Sequence, residues 1–223
     1  MKPIYSLVNF AIRVYTNVAC RIDAPNLNEF PATGPLIVIA NHTGQLEVPL
    51  LFAHLQPRRI TGWAKIEAWD NWILRWVFNV WGIIPVRRGE ADIQALKQAL
   101  RALEQEYIFA IAPEGTRNKT GILRRAMPGT AIIALHSKAP IIPIAHWGGE
   151  NFFSNLKRLK RTDFHIRVGK PFKLRVEGVK ITGEVRKQIV DEMMYQLAAL
   201  LPEEYRGEYA DMSKATKEFI ERL

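Results

Sequence analysis

Asn41-His42-Thr43-Gly44-Gln45-Leu46-Glu47 sets a histidine five residues ahead of a carboxylate, directly after the apolar run Leu36 to Ala40. About seventy residues later, Pro113-Glu114-Gly115-Thr116-Arg117 follows a second apolar run. An imidazole can take a proton from a substrate hydroxyl near neutral pH. A carboxylate on its other ring nitrogen would fix the tautomer and stabilise the imidazolium. The second segment brings together backbone N–H groups, a hydroxyl and a guanidinium, a set that suits an anion and above all a phosphate. In this order and separation, the two segments point to acyl transfer onto an alcohol that bears a phosphate. Each also has a plainer reading. By spacing alone, His42 is more often a loop residue that caps a helix, and each arginine is a surface charge.

These groups need strand ends to hold them. Residues 36–41, 59–64, 108–113, 140–146 and 163–169 read as short strands. Ile93, Leu96, Leu100 and Leu103 mark a helix with an apolar stripe, and another runs from about Glu184 to Leu200, stopped by Pro202. A last, charged helix is expected over Ser213 to Leu223. Strands alternating with helices indicate an α/β domain. Five residues along a helix turn side chains by about 140°. His42 is therefore expected in the turn and Glu47 on the first turn of the next helix, with Gly44 supplying the bend. Arg87 and Arg88 follow Gly82-Ile83-Ile84-Pro85-Val86 and could join the same anion site.

Two segments are unusually apolar. Between Ile4 and Val18 the polar residues Ser6, Asn9, Arg13, Thr16 and Asn17 recur at helical steps and form one stripe. Such a helix packs on a core or lies in a membrane interface. Asn71, Arg75 and Asn79 stripe a second segment, and five of the six tryptophans (63, 69, 72, 76 and 81) fall within the nineteen residues that end with it. Tryptophan favours the boundary between apolar medium and water. Phe152-Phe153, ahead of Lys157-Arg158-Leu159-Lys160-Arg161, could anchor on anionic lipid or form a solvated loop. No stretch has the roughly 20 uncharged apolar residues of a membrane span.

The 223 residues carry 31 basic and 22 acidic side chains, a net charge of +9 that favours anionic partners. One cysteine, Cys20, leaves no disulfide framework and reads as a buried thiol. The start of the chain does not read as a signal peptide, and a cytoplasmic location is expected. Ser6, Ser137, Ser154 and Ser213 are the only serines, and none lies in a Gly-x-Ser-x-Gly elbow, so an acyl-enzyme is not expected. The five histidines lack metal-ligand spacing; His54, His136, His146 and His165 read as structural. A Walker loop and a dinucleotide fingerprint are missing, and the clustered aromatics argue against nucleic acid.

Together these segments resemble the lysophosphatidic acid acyltransferase family, the 1-acylglycerol-3-phosphate O-acyltransferases and their relatives. The likeness runs from about Arg21 to Leu174. The family's Asn-His-x4-Asp block is matched by Asn41-His42 to Glu47, and its Gly-x-Ile-x-Val-x-Arg block by Gly82, Ile84, Val86 and Arg88. Its Phe-Pro-Glu-Gly-Thr-Arg-Ser block corresponds to Ala112 to Asn118, and its proline-bearing strand to Pro140 to Ala145. The resemblance implies an amphipathic membrane-interface helix over residues 1–20 and an acyltransferase α/β domain over 21–223, with a central mixed sheet flanked by helices. It implies catalytic roles for His42, Glu47, Glu114 and Gly115, with Gly115 helping to hold the transition state. Lys65, Arg88, Thr116 and Arg117 would bind the acceptor phosphate.

The implied donor is a thioester of coenzyme A or acyl carrier protein, with no further cofactor. The acceptor is a lysophospholipid, and the setting is the membrane surface. Three positions depart from the pattern: Glu47 replaces aspartate and keeps the charge with a longer reach, Ala112 replaces an aromatic and reshapes the pocket, and Asn118 replaces serine. Another lysophospholipid or a glycolipid as acceptor, or a thioesterase-like hydrolysis, are the competing readings.

Overall fold

The computed structural model describes residues 3–27, 29–44, 46–55, 57–87 and 92–223. Helix α1 (Pro3–Ala19) runs directly into β1 (Cys20–Asp23), followed by β2 (Leu36–Ala40), α2 (Glu47–His54), β3 (Ile60–Lys65), α3 (Trp72–Trp81) and β4 (Ile84–Val86). Then come α4 (Ile93–Glu104), β5 (Ile108–Ile111), α5 (Ala131–Ser137), β6 (Ile141–Trp147), α6 (Phe152–Lys157), β7 (Thr162–Val168), β8 (Phe172–Leu174), α7 (Gly183–Ala198) and β9 (Ile220–Arg222). Start signals are local. The Asn71 side chain accepts from the N–H groups of Ile73 and Leu74, Asp92 from Ala95 and Thr182 from Val185. Gly82 closes α3 with a φ of 68°, a conformation that glycine adopts without steric cost.

Among the described residues the strands form one nine-stranded mixed sheet in the order β1-β7-β6-β2-β5-β3-β4, with β8 and β9 pairing beside β6. The run β6-β2-β5-β3-β4 is parallel throughout, whereas β7 and β8 are antiparallel to β6. All five residues of β2 are buried, as expected of a strand covered on both faces. One apolar layer, with α4, α5 and α7, packs on one face of the sheet. The other, with α1, α2 and Trp81 of α3, packs on the opposite face. Gly62 lets β3 approach β5, because a Cβ there would sit 2.6 Å from the Ala110 carbonyl oxygen.

The amphipathic helix α1 is turned inside out. The middle of its polar stripe faces the protein while Ser6 and Asn17 stay exposed: Asn9 accepts from the Trp81 indole N–H at 3.0 Å, and Arg13 donates to the Ala53 carbonyl at 2.7 Å. The Thr16 hydroxyl reaches the Ile12 carbonyl at 2.9 Å and His54 Nε2 at 3.2 Å. Leu7, Phe10, Val14 and Val18 point outward. The tryptophan cluster also divides. Trp81 is buried and Trp63 packs edge-on against Phe109, while Trp72 and Trp76 are exposed.

The helix expected over Ser213–Leu223 does not form. A 3₁₀ turn covers Met212–Lys214, and the chain then extends into β9. The cause is Glu192, a buried carboxylate on α7. It accepts from the Thr216 hydroxyl at 2.6 Å and from the N–H groups of Glu218 and Phe219 at 2.9 Å each. A helix would use those N–H groups internally, and the extended segment also buries Phe219 and Ile220. Glu192→Ala should lower stability by about 2–4 kcal/mol, since it strands buried donors. Urea denaturation and amide exchange at Phe219 and Ile220 measure it. An unchanged midpoint would remove Glu192 as the latch of the C-terminal segment.

Candidate active site

The parallel strands deliver their carboxyl ends to one edge, where open α/β sheets bind ligands. Val38, Ala110 and Gly62 are in register on β2, β5 and β3. Three residues further on, Asn41, Pro113 and Lys65 therefore lie level along that edge. Val86 pairs with Lys65, so β4 ends at the same level. Chain neighbours of these positions make up the site.

His42 Nδ1 lies 2.6 Å from Glu47 Oε1. The imidazole side chain is 17% exposed and the carboxylate 3%. Glu47 is the first residue of α2, and its two oxygens also accept from the Gly44 N–H at 3.1 Å each. The chain bends at Gly44 as expected, outside the left-handed region, and this residue also donates its N–H. Burial pushes the Glu47 carboxyl upward, but the bond from His42 and the fields of His146 and His42 outweigh it and hold the group below its ordinary value.

The Pro113–Arg117 loop is fastened to the same histidine. Glu114 is buried, and its Oε1 accepts from the His42 N–H at 2.8 Å. Its Oε2 accepts from the Arg124 N–H at 3.0 Å. Burial raises the Glu114 carboxyl despite these donors and the charges of His42 and Arg124. The Asn118 N–H closes the other side, donating to the His42 carbonyl at 2.7 Å. Both oxygens of Glu114, expected among the catalytic groups, are thus engaged by backbone N–H groups.

Gly115 has a φ of 68°, and a Cβ there would meet Met127 at 3.1 Å. Its N–H donates to the Ala112 carbonyl at 3.0 Å. Thr116, Arg117 and Lys65 are exposed at this edge, while Arg88 lies outside the described residues. A groove of about 670 Å³ opens beside the loop, lined by Gly115, Thr116, Arg124, Arg125 and Met127 among others.

Sequence reasoning set His146 aside as structural, yet it joins this group. It is fully buried at the end of β6, and its Nε2 lies 2.6 Å from the Asn41 carbonyl oxygen. The Asn41 amide in turn donates to the His146 carbonyl at 2.7 Å and accepts from its N–H at 3.0 Å. The available signal was positional: His146 follows an apolar strand as His42 does.

A family model described as Acyltransferase matches residues 21–147. The chain belongs to this family. The 1-acyl-sn-glycerol-3-phosphate acyltransferase alpha of Mus musculus is 29% identical over 141 residues, covering 62% of this chain and 49% of that protein. The 1-acyl-sn-glycerol-3-phosphate acyltransferase of Bacillus subtilis is 26% identical over 169 residues, covering 75% and 81%. The chain thus spans about half the length of the mammalian relatives and most of the bacterial one. The 1-acyl-sn-glycerophosphate (LPA) acyltransferase PlsC of Thermotoga maritima superposes with a TM-score of 0.63 at 18% identity, covering 85% of this chain and 76% of that one. The acyltransferase fold, a mixed sheet flanked by helices, is therefore shared.

Folding depresses the Glu47 pKa. The stabilisation this brings is complete above the unfolded value of about 4.3 and is lost as pH falls through the lower folded value. Below about pH 5 the parent chain should lose more stability on acidification than Glu47→Gln, in urea titrations at stepped pH. Equal acid losses would dissociate Glu47 from this linkage.

Proposed function

We propose that this family member transfers a fatty acyl group from a thioester to the free hydroxyl of 1-acylglycerol-3-phosphate. The observation that carries the reading is the 2.6 Å contact between His42 and Glu47, on a histidine whose backbone is tied to the Pro113–Arg117 loop on both sides. With Nδ1 engaged by Glu47, Nε2 faces the acceptor. It takes the hydroxyl proton as the oxygen attacks the thioester carbonyl. The tetrahedral intermediate collapses with cleavage of the carbon–sulfur bond, and the imidazolium returns the proton to the departing thiolate. Lys65, Thr116 and Arg117 bind the acceptor phosphate, a task that guanidinium performs in bidentate fashion. The donor is acyl-coenzyme A or acyl-acyl carrier protein, and the site needs no further cofactor. The names of the mouse and Bacillus relatives support this acceptor.

The protein works from a membrane surface. Among the described residues no helix is long and apolar enough to cross a bilayer. Instead, α1 and α3 present Leu7, Phe10, Val18, Trp72 and Trp76 outward. Phe10 is 66% exposed and Trp72 76%, exposures that suit insertion into the interface. Phe153 and Leu159 extend the apolar set beside the basic run 157–161.

Purified protein supplied with acyl-coenzyme A should release thiol only when 1-acylglycerol-3-phosphate is present. His42→Ala should cut that rate by about 10²–10⁴-fold with an unchanged far-ultraviolet spectrum. Release independent of acceptor would instead make the protein a thioesterase. Phe10→Ser and Trp72→Ser should each weaken partitioning onto anionic vesicles by about tenfold in flotation assays. Undiminished flotation of the double variant would dismiss this face as the attachment surface.

A further inference from the structure

We infer that His146 is a positioning residue for the base, acting through the peptide unit that carries His42. The inference rests on the proposed role of His42. The Asn41–His42 peptide is held at both of its polar atoms. Its N–H donates to Glu114 at 2.8 Å, and its carbonyl oxygen lies 2.6 Å from His146 Nε2. The two grips come from different strands: Glu114 follows β5, and His146 lies on β6, the two neighbours of β2. A peptide plane held at both polar atoms cannot rotate, and the Asn118 N–H on the His42 carbonyl at 2.7 Å holds the next plane, so together they set the His42 Cα–Cβ direction.

The carbonyl is only an acceptor, so Nε2 must carry the ring proton. Burial holds His146 below the ordinary histidine value, against the pull of Glu47, which keeps the ring neutral. Phe164 stacks on it at 5.5 Å with an interplanar angle of 15°, fixing the direction of the N–H. Among the described residues Nδ1 is buried and has no hydrogen-bond partner.

Misplacing a reacting group by about 1 Å can cost about 10²-fold in rate. His146→Leu removes the donor at similar bulk, whereas His146→Gln can return an amide N–H to the Nε2 position. We expect His146→Leu to lower kcat by about tenfold to a hundredfold, with acceptor KM within about twofold. His146→Gln should recover kcat to within about threefold of the parent.

A second readout does not depend on the substrate. The His42 Nδ1–H resonance in ¹⁵N-histidine-labelled protein reports the Glu47 bond directly. It should shift or vanish in His146→Leu and return in His146→Gln. Normal kcat and an unmoved resonance in folded His146→Leu would overturn the inference. A loss in Leu that Gln does not restore would also overturn it, leaving His146 as packing alone. If the parent protein shows no transfer while the resonance behaves as expected, the proposed reaction fails and the positioning stands.

Discussion

A carboxylate removed from water persists only where donors replace its hydration, and Glu114 has two, the backbone N–H groups of His42 and Arg124. One buried oxygen pair thereby ties the end of β2 to the loop after β5 and to the segment that returns over it. These ties cross 72 and 10 residues of chain, so the site exists only in the folded sheet. The raised Glu114 pKa expresses the cost of holding this group in the interior. Asn118 completes the attachment from the far side of His42. Arg117 is consequently one residue from a bond to the His42 backbone, so these two chain positions cannot drift apart independently.

The distribution of polarity over the two faces follows from how each helix satisfies its buried groups. On the α1 face, Asn9 Oδ1, Arg13 and Thr16 exchange solvent for Trp81, Ala53 and His54, which offsets part of the cost of turning these polar groups inward. Apolar residues are left facing out. On the opposite face α4 behaves conventionally, but its contact centre is Ala95, Ala99 and Leu103, with Ile93 exposed. The small side chains bring that helix close to its neighbours, and the larger Leu96 and Leu100 flank the contact.

What was legible in the sequence was what lies close along the chain. The His42–Glu47 pair spans a single turn, and periodicity marks the α4 and α7 helices and the five principal strands. The short β1, β4, β8 and β9 escaped notice because three or four residues carry no period. The roles of Glu114, Gly115 and His146 were illegible for another reason. Which backbone group a side chain engages depends on strand order, and the order β6-β2-β5 sets elements side by side that lie far apart in the chain. The C-terminal segment misled in the same way: its charges suggested a solvated helix, but a carboxylate from α7 had already claimed its N–H groups. The tryptophans were grouped by sequence, whereas burial separates Trp63 and Trp81 from Trp72 and Trp76.

The same short helix that supplies Glu47 also carries the contacts to α1. At one end of α2 the carboxylate meets His42; at the other, the Ala53 carbonyl takes Arg13 and His54 meets Thr16. Eight residues of helix span about 12 Å. That length fixes the separation between the outward apolar face and the base. Helix α2 thus links the helix whose apolar side chains face outward to the His42–Glu47 pair.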